Sequence, residues 1–309
     1  MTTDSAAEAA AAEFESHRAL LTGVAYRMLG RVADAEDVVQ DAWLRWAGTD
    51  RSVVREPRAY LTRVVTRLAL DRLRQVKARQ ESYVGPWLPE PWPTGPGTDG
   101  APGTLGAPPA DAARRAELAD TVSFAVLVVL ETLSPLERAV FVLREAFAFP
   151  YAEIAAMLDR GEDAVRRMAV RARRHVEEGR PRYRAEPGER RDLTERFLAA
   201  AAGGDLDGLL RVLAPDVRLV ADSGGRAKAP LRELFTAEKV ARFFRGIRSH
   251  AAGAWSLRPV EVNGAPAHLI LEDGRPETLV QVEVVDGLVG RVYLVRNPDK
   301  LRRLVETHG

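Results

Sequence analysis

The stretch YAEIAAMLDRGEDAVRRMAVRARRH, residues 151–175, holds two apolar periods separated by one break. Tyr151, Ile154, Ala155 and Leu158 fall at i, i+3, i+4 and i+7, one face of a short helix. Asp159-Arg160-Gly161 interrupts that period, and Val165, Met168, Ala169, Ala172 and Val176 resume it. Two short amphipathic helices joined by a tight, glycine-containing turn make a helix-turn-helix. Burying the second apolar face turns Arg166, Arg167, Arg171 and Arg174 outward. Such a face suits a helix laid in the DNA major groove, its guanidinium groups on phosphates and guanine edges. A solvated basic face on a small bundle is the plainer alternative. Glu162 and Asp163 open the second helix. Carboxylates there repel phosphates, yet each can accept a hydrogen bond from cytosine.

The rest of the chain shows that this basic patch is local. The 309 residues carry a formal net charge of only +1, so binding to nucleic acid can rest only on how charge is placed. With 46% hydrophobic and 29% charged residues, the composition is that of a soluble protein with more than one core. Cysteine is absent, which excludes disulfides, thiol catalysis and cysteine-zinc sites and fits a reducing cytoplasm. The first residues, MTTDSAAEAAAAEFESHR, are acidic and do not read as a signal peptide. No apolar run approaches the roughly 20 residues that span a bilayer. A cytoplasmic location is expected.

Two breaks divide the sequence. Residues 85–111 are dense in proline and glycine and read as a linker; residues 177–189 read as a shorter, polar one. Three blocks remain, at 12–84, 112–176 and 190–309. In the first, Leu20, Leu21, Val24, Ala25, Met28 and Leu29 keep helical spacing, and Gly30 closes that segment. Asp34 is a plausible N-cap for the next helix, whose face is Val38, Val39, Ala42, Trp43 and Trp46. A third helix starts near Pro57, burying Leu61, Val64, Val65, Leu68 and Leu73. Arg63, Arg67, Arg72 and Arg74 lie on its basic side. In the second block, Ser134-Pro135-Leu136-Glu137 is a helix-start signature. The third block opens with helices at 192–202 and 206–213, then changes period. A strand, a helix over 234–247 and four β-rich runs follow, with Asp273-Gly274 and Asp286-Gly287 as hairpin turns. The fold class expected is multidomain: two all-α domains followed by an α+β domain.

Residues 25–46 and 57–74 resemble region 2 of the extracytoplasmic-function sigma factors, and residues 133–176 resemble region 4 of the same family. The resemblance implies a transcription initiation factor. Its partners are then core RNA polymerase (the β′ clamp helices and the β flap) and promoter DNA. Region 2 positions matching the polymerase-docking helix are Asp34, Glu36, Asp37, Gln40, Asp41 and Trp43, although Trp43 equally suits a core position. The basic helix after them implies −10 contacts and strand opening, with Arg63, Arg67, Arg72 and Arg74 as cations. Tyr60 or Tyr83 is a candidate stacking surface for an unstacked base. Region 4 implies −35 recognition. Gly161 and Asp163 depart from the family's more usual serine cap and small residue, which bears on the −35 sequence read. A tether between the two regions lets both grip one duplex.

The third block resembles the SnoaL-like fold, a cone-shaped, curved sheet around a helix. The SigJ-type subgroup of sigma factors carries this domain after region 4. Its signatures match at Trp87-Leu88-Pro89-Glu90-Pro91, at Asp222 to Lys228 with Gly224 and Gly225, and at Asn297-Pro298-Asp299-Lys300-Leu301. Ser223 stands where the subgroup has glycine. The resemblance implies regulation in cis through intramolecular contact with the sigma regions. Trp87, Leu88 and Trp92 are too apolar for a plain tether and are expected to fold against another domain. Leu301 and Leu304 either dock on the sigma regions or merely cap the C-terminus. SnoaL-like relatives include enzymes, for which Asp222, His250, His268 and Glu283 are the acid–base candidates here. No nucleophile–base pair or metal-ligand spacing is visible, so no catalytic residue, metal or cofactor is expected. The alternatives are a helix-turn-helix regulator sensing a small ligand, and a SnoaL-like pocket enzyme fused to a DNA-binding module.

Overall fold

A computed structural model of the chain describes residues 3–94, 123–179, 187–250 and 255–306. It divides into two compact units, Met1–Glu81 with Asp99–Arg180 and Ser82–Thr98 with Pro181–Gly309. Residues 95–111 of the expected linker, the start of the second block at 112–122 and residues 180–186 lie outside the described residues.

The N-terminal unit begins with helices α1 (Thr3–Leu29), α2 (Val32–Ala47) and α3 (Pro57–Gln80). Leu20, Leu21, Val24, Met28, Val38, Val39, Ala42, Trp46, Leu61, Val65 and Leu73 are buried, while Val64 and Leu68 are half-buried. Gly30, at φ +68°, ends α1 in the left-handed region that glycine enters without strain. That tight turn lets α2 restart at Val32, three residues earlier than it would with Asp34 as its N-cap. Asp34 is therefore not a cap: it lies inside the first turn, buried, and its carboxylate accepts from Arg72 Nη2 at 2.6 Å.

Helices α4 (Phe124–Leu130), α5 (Pro135–Phe141), α6 (Tyr151–Leu158) and α7 (Glu162–Gly179) follow. Ser134 caps α5 as expected, accepting from Glu137 N at 3.3 Å and donating to its carboxylate at 2.6 Å. A π-helical turn, Val142–Ala146, extends α5. Between α6 and α7 the left-handed residue is Asp159 (φ 56°), not Gly161. Asp enters that conformation more readily than most residues, because a short polar side chain can hydrogen-bond locally. The two sigma-like blocks, read from sequence as separate domains, share this one compact unit.

The C-terminal unit contains α8 (Pro187–Gly203), α9 (Leu206–Val212), β1 (Leu213–Asp222), β2 (Leu234–Phe235), α10 (Ala237–His250), β3 (Trp255–Val262), β4 (Ala265–Glu272), β5 (Arg275–Val285), β6 (Leu288–Val295) and α11 (Pro298–Glu306). The sheet order is β2-β1-β6-β5-β4-β3, with β1 and β6 parallel and the other pairs antiparallel. Both expected hairpin dipeptides have positive φ at each residue, and Asn263-Gly264 does the same between β3 and β4. That is the type I′ geometry which matches strand twist. Val280, Val282, Val292 and Leu294 face α8 and α10, where Phe197 and Phe244 meet edge to face at 5.1 Å. Strand alternation sends Asp222, Gln281, Glu283 and Tyr293 to the opposite face.

The first part of the proline-rich stretch packs on a folded domain, as its apolar Trp87, Leu88 and Trp92 led one to expect. Residues 82–94 belong to the C-terminal unit. Trp92 N donates to Asn263 Oδ1 at 3.1 Å, Asn263 N donates to Trp92 O at 2.9 Å, and Pro93 bridges Val262. Leu88 and Trp92 are buried. Proline forbids regular elements here, but an extended chain still buries apolar side chains and pairs with a strand end.

Candidate nucleic-acid interface and linker clamp

Helix α7 buries Val165, Met168, Ala169, Ala172 and Val176. At 100° per residue, Asp163, Arg167, Val170 and Arg174 point most nearly away from that core, and all four are exposed. Apart from Arg167, the arginines named on this helix have partners. Arg166 pairs with Glu162 and stacks on Tyr151, 4.7 Å from the ring centroid. Arg171 reaches Glu137 at 3.1 Å and Arg173 reaches Glu145 at 2.6 Å. Hydrogen bonds from Ser134, then from Arg171, hold the Glu137 carboxyl below the usual carboxylate range. Arg174 pairs with Glu178 at 2.8 Å. Exposed pairs of this kind contribute about 0–1 kcal/mol, so a phosphate can displace them.

The basic side of α3 is partly committed within the unit. Arg63 is exposed. Arg67 Nε donates to Met157 O at 3.3 Å, at the end of α6. Arg72 bonds Asp34 and, at 3.0 Å, Asp37; Arg74 pairs with Asp71 at 2.7 Å. Lys77 Nζ donates to Leu133 O at 3.0 Å, and Gln80 donates to Glu131 at 3.2 Å. From the other side, buried Arg138 of α5 donates to Arg27 O at 2.9 Å and pairs with Glu131 at 3.1 Å. Helices α1 and α3 thus rest on the helix-turn-helix block through polar contacts around Arg138.

In the C-terminal unit, three segments distant in sequence meet at one buried ion pair. Lys300 Nζ donates to Asp222 Oδ2 at 2.6 Å and to Leu88 O at 2.5 Å, and lies 3.5 Å from the Trp87 ring centroid. Asp222 also accepts from Tyr83 Oη at 2.5 Å and from Leu88 N at 2.8 Å. Asn297 Nδ2 donates to Tyr83 Oη at 2.8 Å, while Asn297 Oδ1 accepts from Asp299 N at 3.0 Å and caps α11. Gly224 lies under this network at φ +57°, and a Cβ there would fall 2.7 Å from Asn297 Nδ2 and 2.8 Å from Tyr83 Oη. Leu301 and Leu304 are buried, and Pro298 starts α11.

Residues 14–79 match the family model for Sigma-70 region 2, and residues 123–176 match that for Sigma-70, region 4. Over 299 residues the chain is 39% identical to the ECF RNA polymerase sigma factor SigJ of Mycobacterium tuberculosis, covering 93% of this chain and 92% of that protein. The crystal structure of that SigJ is similar to this fold with a TM-score of 0.73 at 38% identity, covering 94% of this chain and 98% of the other. The chain belongs to the ECF RNA polymerase sigma factors. The probable ECF sigma factor SigI of the same species is 32% identical over 290 residues, covering 94% of each chain. As an alternative sigma factor, the protein directs core RNA polymerase to promoters and starts transcription.

The structure brings the three sigma-factor signatures together. Trp87, Leu88, Asp222, Gly224, Asn297, Asp299 and Lys300 meet as described, Pro89 and Leu301 are buried beside them, and Gly225 lies next to Val84. Lys228 contributes its backbone carbonyl, which accepts from Arg296, rather than its ammonium group. Sequence reasoning missed Tyr83 as the hub; as a candidate base-stacking residue it is committed here to Asp222 and Asn297. Tyr60 bonds Thr49 at 3.1 Å and lies 5.8 Å from Trp46. Trp43 is half-buried, 5.3 Å from Phe14. The acid–base candidates do not converge. Asp222 and Glu283 share one face of the sheet, whereas His268 pairs in register with Val280 and faces the other. The side chain of His250 is outside the described residues.

Proposed function

We propose that the C-terminal domain regulates this sigma factor in cis by holding the linker that joins region 2 to region 4. The observation that carries the reading is the Lys300–Asp222 pair closed over Leu88 and Trp87. A tether sets the effective concentration of one DNA-binding region for the other. Residues 83–94 held on the C-terminal domain are removed from the length that can span two promoter elements; released, they lengthen it. Within the sigma regions, exposed Glu36, Asp37, Gln40 and Asp41 of α2 are the docking surface for the β′ clamp helices. Asp34, buried on Arg72, instead shapes that helix. Region 4 meets the β flap while Arg63 and Arg67 of α3 serve the −10 element and α7 serves the −35 duplex. Arg72, tied to Asp34 and Asp37, supports the −10 helix, and exposed Arg74 adds charge beside it. The protein works in the cytoplasm, and its residues are assigned no catalytic step.

Transcription in vitro by core polymerase with the full-length protein tests this reading. Lys300→Met and Tyr83→Phe should change promoter output several-fold relative to wild type, in proportion to the release of Trp87 seen by fluorescence. Variants that free Trp87 yet transcribe as wild type does would refute it.

A further inference from the structure

Val170 is out of keeping with its place. It is 64% exposed on α7, with Arg167 one turn before it and Arg174 one turn after. Core packing does not explain it, because the buried side of α7 is occupied by Val165, Met168, Ala169, Ala172 and Val176. Helix propensity does not explain it either, since a β-branched residue is a poor choice on an exposed helix face. Arg166, Arg171 and Arg173 are held by Glu162, Glu137 and Glu145. Arg167 has no side-chain partner among the described residues, so it and Val170 form the apolar and cationic pair that this face presents.

We propose that Val170 is a specificity-determining residue, packing on the C5-methyl of a thymine in the −35 major groove while Arg167 reads a neighbouring guanine. The thymine methyl is the one apolar group that a base pair shows in that groove, and Arg is the usual partner of guanine O6 and N7. Three residues of helix rise about 4.5 Å, close to the ~3.4 Å between stacked bases, so the two side chains address adjacent steps. A duplex is the occupant that the surrounding charge selects: Arg167 and Arg174 flank the valine, and phosphates flank the methyl. The inference rests on the assignment of α7 as the −35-reading helix.

The test uses holoenzyme assembled from the full chain and core polymerase, on a promoter whose −35 element has been enriched from a random pool. Each −35 thymine is replaced singly by uracil, which removes only the methyl group. Wild type should lose about three- to fivefold in affinity at one thymine, the scale of one buried methyl. Val170→Ala should bind thymine and uracil equally there, and Val170→Thr, which keeps a methyl, should retain part of the preference. If no thymine is sensitive in wild type, or if the preference survives in Val170→Ala, the proposal is overturned. In either case, a −35 defect in Arg167→Ala would leave the assignment of α7 standing. If Arg167→Ala and scrambling of the −35 element both have no effect, the assignment of α7 fails as well.

Discussion

Lys300 is a charge with almost no access to water, 2% exposed against a fully buried Asp222. Burying two ions costs several kcal/mol each, and good geometry must offset that cost. Here the ammonium has a carboxylate, a carbonyl and an indole face, and the carboxylate accepts three hydrogen bonds. Lys300→Met leaves the Asp222 carboxylate without its cation and is expected to cost about 3–5 kcal/mol. Adding Asp222→Asn should recover part of that loss, because no lone buried charge then remains. Urea unfolding of the full chain checks both, and an unchanged midpoint for Lys300→Met would show that the pair does not hold this region. Gly224→Ala attacks the same network through the backbone. A left-handed alanine costs about 1–2 kcal/mol, and its Cβ would collide with Tyr83 and Asn297. The expected result is a lower midpoint together with a more solvent-exposed Trp87.

At the scale of elements, the β5–β6 pair carries a proton-linked residue. Glu283 accepts from Tyr293 Oη at 2.7 Å, and its other oxygen, with no hydrogen-bond partner among the described residues, lies 4.0 Å from Arg291. Burial raises its pKa above the usual carboxylate value, and the Tyr293 hydrogen bond and the charges of Arg291 and Arg190 only partly oppose that. A raised carboxyl binds its proton more tightly in the folded state. Its contribution to stability is therefore complete below the unfolded value of 4.5 and fades as pH rises through the folded value. Melting curves from pH 4.5 upward should show Glu283→Gln losing less stability than wild type over that interval; parallel profiles would count against this account. Local signals made most of these elements readable. Period gave the helices and strands, Ser134 gave the start of α5, and Asp-Gly pairs gave the hairpins. What was not readable depends on distant partners. Asp34 has the chemistry of a cap, and Arg72, on another helix, ties it down as an internal ion-pair residue. Tyr83 looks like any half-buried tyrosine until Asp222 and Asn297 are brought to it. Val170 looked unremarkable because a periodic pattern counts apolar residues without saying which face stays bare.

At the scale of the whole molecule, the two DNA-reading blocks share one compact unit, with α3 bonded to α6 through Arg67 and to the segment before α5 through Lys77. On the proposed assignment those blocks serve promoter elements that lie apart on one duplex, and each intervening base pair adds about 3.4 Å. If each block reads its own element, the packing around Arg138 is expected to open when the holoenzyme binds a promoter. Opening draws on binding energy: if the closed form is populated 99 times in 100, apparent affinity falls about 100-fold. The absence of cysteine makes the transition measurable, because introduced thiols label without background. Cysteines replacing exposed Val53 in region 2 and exposed Ala156 in region 4 would carry a donor and an acceptor dye. Transfer efficiency should be high in the free protein and fall sharply when core polymerase and promoter DNA are added together. Arg138→Ala, which removes the central contact, should lower transfer before any polymerase is present, at a cost of about 3–5 kcal/mol in stability, because Glu131 loses its buried partner. Equal transfer in the free and promoter-bound states would mean that both elements are read from the closed arrangement, and the opening step would have to be given up.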